Sequence, residues 1–319
     1  MQIRVNPEIT RQEIWADSWN ELVGILGQDR DRRGRKLHKV PHDKKVAKRV
    51  LVATIKNPIL MTDINAISRF EPTTRDTLFS LYQSYPRTVE YDGVSVRWNP
   101  TRHVDVWCPS IDTLVFANAM RTSEGVLSGA SAVEIGSGSG FLGKYLLHKS
   151  NMKRLDQVDL NPYAVLCTRE NVKPFLKGQT VRAYVKDGMK LRGQFDRVLC
   201  NPPYVPRPKS IEDNPYEGVG LLRHIIVNGK KYVSRDGIII LTTSSLCRNI
   251  RDAAIEEAKT NGRLNSVDVI GKMRIPLKVN AILNNKEWMN YLLNAGLTKS
   301  MAKGYEYWHE ITVLKLVYR

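Results

Sequence analysis

The sequence predicts an α/β fold with a Rossmann-like, mainly parallel sheet, and three stretches carry that expectation. Residues 132 to 143 read Ala-Val-Glu-Ile-Gly-Ser-Gly-Ser-Gly-Phe-Leu-Gly, a short apolar strand, a glycine turn at Gly136, Gly138 and Gly140, then a helix start. Glycines allow a sharp turn and a close backbone approach to a ligand. Further on, Gln157-Val158-Asp159-Leu160-Asn161 ends a second strand in a carboxylate placed for ribose hydroxyls. The apolar run Val198-Leu199-Cys200 then stops at Asn201-Pro202-Pro203-Tyr204.

Taken in order, the chain opens on Thr10-Arg11-Gln12-Glu13, which fits a capping box. Ile14, Trp15, Trp19, Leu22, Val23 and Leu26 follow at helical spacing, so the tryptophans read as core. Residues 30 to 49 form the densest basic run, suited to phosphates or an acidic protein surface, or equally to plain solvation. A helix is expected over 43–56, and two more between 63 and 83, punctuated by Pro72. Thr88 to Tyr91, Asp92-Gly93 and Val94 to Trp98 give a hairpin with a two-residue turn. The expected organisation is a helical, partly basic domain over 1–86, a hairpin linker over 87–106 and a main domain over 107–319.

In that main domain Asp112 and Thr113 begin the first helix. The glycine turn follows the first strand, Asp159 ends the second, and Val181 to Val185 form a third that leads to Asp187. Phe195 to Cys200 make the fourth and Gly237 to Thr242 a buried fifth. Val267 to Ile270 and Ile311 to Val317 complete the sheet, the last running antiparallel. Residues 275 to 305 are longer than a hairpin needs, and Trp288, Tyr291 and Leu292 sit there at helical spacing. This insertion reads as a cap or substrate-recognition element, or as a helix covering an edge strand.

The Asn-Pro-Pro-Tyr stretch has its own chemistry. Each proline ring locks its φ, and Pro203 also keeps Pro202 extended, so the carbonyls there hold fixed directions. An amide oxygen beside rigid carbonyls gives several acceptors aimed at one point, with a flat Tyr204 ring alongside. That suits a planar NH2 group whose delocalised lone pair is poorly nucleophilic. Acceptors on both N–H bonds turn the lone pair toward an electrophile by orientation and placed dipoles, without a strong base or a shifted pKa.

Gly138 to Gly143 also fits G-x-G-x-x-G, the mark of dinucleotide-binding oxidoreductases, but such a match alone is weak. Glu134 before the glycines, Asp187 after the third strand and Asn-Pro-Pro-Tyr after the fourth together resemble the class I S-adenosylmethionine-dependent methyltransferases, in their amino-methylating branch. Cys108-Pro109-Ser110-Ile111-Asp112-Thr113, Phe195 to Pro206 and Tyr216 to Arg223 are similar to segments of the HemK-like family, which methylates a glutamine side-chain amide in translation release factors. The similarity spans roughly residues 105 to 245. It implies a seven-stranded mixed sheet with helices on both faces and S-adenosyl-L-methionine bound over Gly136, Gly138 and Gly140. Asp159 would hold the ribose and Asp187 the adenine edge, while Glu134 orients the methionine end or supports the glycine turn. Asn201 and the Pro202 carbonyl would accept the substrate N–H bonds, with Pro203 fixing the turn and Tyr204 packing on the planar group. Bacterial members carry a helical N-terminal substrate-binding domain, which residues 1–86 do not match residue by residue. Three functions follow: a protein-glutamine N5-methyltransferase acting on a release factor; an RNA or DNA methyltransferase at adenine N6 or guanine N2, with the base flipped into the same pocket; or a non-catalytic RNA-binding or partner-stabilising subunit that retains the fold.

Composition sets the remaining limits. At 319 residues, 42% hydrophobic and 25% charged, the chain reads as a soluble protein of two domains. No apolar run approaches the ~20 residues a bilayer requires. The start, Met1 to Asn6, lacks a signal-peptide core, so a cytoplasmic protein with no membrane partner is expected. Cys108, Cys167, Cys200 and Cys247 form no C-x-x-C pair, which argues against a zinc knuckle and a disulfide framework. His38 and His42 have i,i+4 spacing but no third ligand, so no metal site is expected. The net charge is +17; residues 1–125 hold 19 Lys/Arg against 15 Asp/Glu, leaving 30 against 17 in the remainder. A basic catalytic part attracts RNA or ribosome-associated assemblies, although net charge alone names no partner.

Overall fold

The computed structural model describes residues 2–5, 87–99, 102–172, 178–209, 219–277, 280–283, 285–302 and 305–319. The helices expected between residues 10 and 83, the basic run at 30–49, the His38/His42 pair and Tyr216 to Gly218 lie outside them. The chain divides into two compact units, residues 1–104 with 300–306, and residues 105–299 with 307–319.

In the first unit, β1 (Gln2–Val5), β2 (Arg87–Tyr91) and β3 (Val94–Trp98) form an antiparallel sheet in that order. The expected hairpin is present: Tyr91 pairs with Val94, and the turn residues Asp92 and Gly93 have φ of 50° and 77°. Both signs are positive, as a type I′ turn requires. Val89, Val94, Val96 and Trp98 are buried. β1 was not signalled by the sequence; its four residues are defined by pairing with β2, Ile3 opposite Val89.

The second unit begins with α1 (Ile111–Thr122), β4 (Ser131–Ile135), α2 (Phe141–Lys149), β5 (Arg154–Asp159) and α3 (Pro162–Val172). It continues with β6 (Thr180–Val185), β7 (Phe195–Cys200), α4 (Gly220–Asn228), β8 (Val233–Ser244), α5 (Arg248–Thr260) and β9 (Leu264–Pro276). α6 (Asn280–Leu283), α7 (Lys286–Asn294), β10 (Thr298–Ala302) and β11 (Tyr305–Tyr318) complete the chain. The sheet path is β10-β11-β8-β7-β4-β5-β6, with β9 also on β11. β6, β5, β4, β7 and β8 are parallel, and β11 runs antiparallel to both β8 and β9. This is the expected mixed sheet with an eighth strand, β10, added after the insertion helices. β9 and β11 are also longer than expected, because they pair with each other from Leu264 opposite Tyr318 out to Pro276 opposite Trp308.

The central strands read as unbroken apolar runs because both of their faces are covered. Val133, Ile135, Val158, Val198, Cys200, Ile239 and Leu241 share one core with Leu222, Ile225 and Ile226 of α4 and Ala254 and Ala258 of α5. α1 lies against β9 so closely that a Cβ at Gly271 would stand 2.7 Å from that of Ala119. From β4 the chain winds outward through β5 and β6, then returns to place β7 on the other side of β4. The carboxyl ends of β4 and β7 therefore flank the point where the winding reverses, the place where open α/β sheets form a crevice. Among the described residues, no helix is long and apolar enough to cross a membrane.

Candidate active site

Ile135 and Cys200 are register partners on the parallel strands β4 and β7. The glycine turn and Asn201 therefore leave the sheet side by side. Gly136, Gly138 and Gly140 have φ of 72°, 51° and 77°, values that other residues rarely adopt. The N–H groups of Gly136 and Ser137 donate to the Val158 carbonyl at 2.9 and 3.1 Å. The turn is thus pinned across to β5. Asp159, at the end of β5, tightens this: its Oδ2 accepts from Gly138 N at 2.9 Å and its Oδ1 from Asn161 N at 2.9 Å. Burial raises its pKa against the pull of those backbone bonds.

Glu134 lies beneath the turn, buried, with its Oε2 accepting from Gly143 N at 3.0 Å and from Gln157 Nε2 at 2.5 Å. An otherwise unpaired N–H in the first turn of α2 is satisfied in this way. A Cβ at Gly143 would stand 2.6 Å from Gln157 Nε2 and 2.7 Å from Glu134 Oε2, so only glycine lets helix and carboxyl group meet. Of the two tasks read for Glu134 from the sequence, the contacts are those of support for the glycine turn and its helix. Burial pushes its pKa up to about 8, outweighing the opposing bonds from Gln157 and Gly143.

Asp187 accepts from Met189 N at 2.9 Å and opens the short 3₁₀ turn Gly188–Lys190. Gly188 packs on the end of β4, where an added Cβ would be 2.3 Å from Ile135 Cγ2. That contact draws the partly exposed Asp187 toward the glycine turn.

At Asn201 the side-chain hydrogen bonding is incomplete among the described residues. Its Nδ2 donates to Asp112 Oδ2 at 2.9 Å, whereas its Oδ1 is buried and has no partner among the described residues. Pro202 is buried, Pro203 and Tyr204 partly so. Burial first, and Asp112 second, hold the Tyr204 hydroxyl well above the ordinary phenol range. The Tyr204 ring lies 6.1 Å from that of His309. His309 Nδ1 meets Ser244 Oγ at 2.9 Å, and burial lowers its pKa to about 4.

The glycine turn, Glu134, Asp159 and Asn201 with its prolines are thus gathered at one end of the parallel sheet, with Asp187 close by. Asp112 and His309 join them without having been assigned roles from sequence. Asp112 is visible only as part of the segment entering α1, and His309 sits in the apolar strand β11 with no local motif.

The insertion also reaches this region. Trp288 Nε1 donates to the Pro206 carbonyl at 2.9 Å, and the Arg207 guanidinium lies 4.8 Å over the Trp288 ring. Trp288, Met289 and Leu292 pack with Leu246, Leu277, Ile282 and Val205. α7 therefore docks on the segment that leaves Asn-Pro-Pro-Tyr.

Comparison with known proteins agrees with this geometry. Residues 111–246 match the family model described as "Methyltransferase small domain". A Methanocaldococcus jannaschii protein, provisionally named a protein N5-glutamine methyltransferase, is 24% identical over 206 residues, covering 61% of this chain and 97% of its own. The Mus musculus methyltransferase HEMK2 is 31% identical over 109 residues, covering 33% of this chain and 51% of its own. The Francisella tularensis ribosomal protein uL3 glutamine methyltransferase is 27% identical over 127 residues, 35% of this chain and 40% of its own. The chain thus spans about half, or less, of the latter two. With the glycine turn and Asn-Pro-Pro-Tyr on paired strands, residues 111–246 match a methyltransferase small domain, and over part of its length the chain is similar to proteins named as glutamine methyltransferases, in line with the resemblance to the HemK-like class I methyltransferases.

Proposed function

We propose that this enzyme methylates the side-chain amide nitrogen of a glutamine in a protein, of the release-factor or ribosomal kind, in the cytoplasm. The observation that carries the reading is Asn201 Oδ1, a buried acceptor with no partner among the described residues, at the end of β7 beside the glycine turn at the end of β4. An acceptor left unsatisfied there is costly unless a ligand N–H completes it. The relatives' names, two of which specify glutamine, support the acceptor class.

Gly136, Gly138 and Gly140 suit S-adenosylmethionine because their backbone is bare and curved, and Asp159 and Asp187 supply carboxylates for the ribose and the adenine edge. Bound there, the cofactor supplies a methyl group activated by sulfonium. Asn201 Oδ1 and the Pro202 carbonyl accept the two N–H bonds of the substrate amide, Pro203 fixes their direction, and Tyr204 packs on the amide plane. With the nitrogen lone pair so oriented, the amide nitrogen would take that methyl group while the old bonding pair stays with sulfur, and the extra N–H proton would pass to water. We assign residues 1–86 and the insertion at 275–305 to acceptor recognition.

The basic excess in the catalytic part favours a second reading, methylation of a nucleobase amine. Incubating the enzyme with labelled S-adenosylmethionine and an extract from a strain lacking it separates the two. Label that survives RNase, is released by protease and appears as N5-methylglutamine after digestion is the expected result; label removed by RNase refutes the glutamine reading.

A further inference from the structure

We infer that Asp112 is a positioning residue that fixes which end of the Asn201 amide faces the acceptor nitrogen, an inference that rests on the function proposed above. A carboxamide has a donor end and an acceptor end, and a half-turn about its last bond exchanges them. The Oδ2 of Asp112 lies 2.9 Å from one end of the Asn201 amide. An ionised carboxylate only accepts, so that end must be Nδ2, and Oδ1 is left on the other side. Oδ1 is the buried oxygen with no partner among the described residues. Reversed, Asn201 would present N–H groups to the N–H groups of a substrate amide and repel what it now receives.

Asp112 is itself restrained. Ser110 Oγ donates to its Oδ1, and it sits in the first turn of α1, far along the chain from β7. The same carboxylate also acts on the Tyr204 hydroxyl, helping burial hold it above the ordinary phenol range. One side chain from the segment entering the domain therefore sets the orientation of the Asn201 amide, 89 residues away.

Asp112→Asn is the informative variant because it keeps shape and removes the constraint: an amide at 112 can donate to Asn201 Oδ1 and stabilise the reversed orientation. Single-turnover transfer from labelled S-adenosylmethionine to the protein fraction of the enzyme-deficient extract is measured for wild type, Asp112→Asn, Asn201→Ala and the double variant. Calorimetry with S-adenosylhomocysteine checks folding and the cofactor site. Asp112→Asn is expected to slow transfer on the order of 10²-fold, as for loss of one placed dipole, with cofactor affinity nearly unchanged. In the Asn201→Ala background it adds no further loss, since it acts through Asn201. A rate within about twofold of wild type, or a full loss persisting in the Asn201→Ala background, overturns the inference. Wild-type transfer by Asn201→Ala itself would instead sink the proposed function. Should Asp112→Asn fail to bind S-adenosylhomocysteine, Ser110→Ala, which leaves the carboxylate unrestrained, is read in the same way; an unchanged rate there overturns the inference.

Discussion

Replacing Glu134 with Gln tests the reading of the support beneath the glycine turn. Burial raises this carboxyl from its ordinary 4.5 to about 8. Between those values the folded protein holds a proton that the unfolded chain releases, so raising the pH favours unfolding. The contribution is complete below about pH 4.5 and is lost as the pH rises through about 8. Between about pH 6.5 and 8.5 it amounts to about 2 kcal/mol, which for a unit of this size moves the melting midpoint by roughly 4–8 °C. Glu134→Gln removes the titration while an amide oxygen remains to accept from Gly143. Its new NH2 also has a waiting partner, because Gln157 Oε1 is buried and has none among the described residues. Thermal melts followed by circular dichroism across this range should show the wild-type midpoint falling with pH and that of Glu134→Gln nearly level. Parallel slopes in the two proteins refute the assignment.

Four further outcomes can be measured. Asn201→Ala should reduce methyl transfer by roughly 10²–10³-fold with little change in S-adenosylhomocysteine affinity, because the lost contact matters most as the nitrogen rehybridises; an equal loss in both quantities would contradict this. Gly188→Ala puts a Cβ 2.3 Å from Ile135 Cγ2 and should cost about 1–3 kcal/mol in urea unfolding. Trp288→Phe keeps the ring but leaves the Pro206 carbonyl unpartnered; a loss of about 1–3 kcal/mol in urea unfolding and slower methyl transfer are expected. His309 remains neutral down to about pH 4 when folded, whereas an unfolded histidine takes up a proton near 6.5. Acidification across that window should therefore destabilise the wild type by up to roughly 3 kcal/mol and a His309→Gln variant by less.

The parts of the fold that were legible are those in which a local constraint has few solutions. Three residues with positive φ require glycine, and Asp92-Gly93 between alternating residues leaves little besides a tight hairpin. Strand ends were legible too, because each apolar run stops at a polar or rigid residue: Asp159 as the last residue of β5, Asn201 just after β7. What stayed hidden depends on partners distant in sequence. β1 exists through β2, and the outer half of β9 through β11. Glu134 could be placed before the glycines, but its attachment to Gly143 and Gln157 required β5 to lie beside β4. The same holds for Asp112, brought to Asn201 only once α1 is seated, and for His309, whose strand pairs with β8 so that Ile311 faces Ser244.

These distant contacts also explain why the proposed chemistry needs no base. Three titratable groups near Asn201 are driven toward their neutral forms: His309 down to about 4, the Tyr204 hydroxyl and the Cys200 thiol upward, all chiefly by burial. Near neutral pH none of the three is an effective proton acceptor, and none carries a charge to compete with a cationic methyl donor. A carboxamide nitrogen does not have to be deprotonated to react; it has to have its lone pair turned out of conjugation and aimed. In the proposed reaction, transfer would move positive charge from sulfur to nitrogen and strengthen the N–H donors that residues 201 and 202 are proposed to hold. Fixed acceptors in a dry site gain most from that change, since they need not reorganise as it occurs. The same burial that silences His309 and Tyr204 thus increases the value of an unpaired amide oxygen, which ties the packing of β11 and α1 to the reaction at the end of β7.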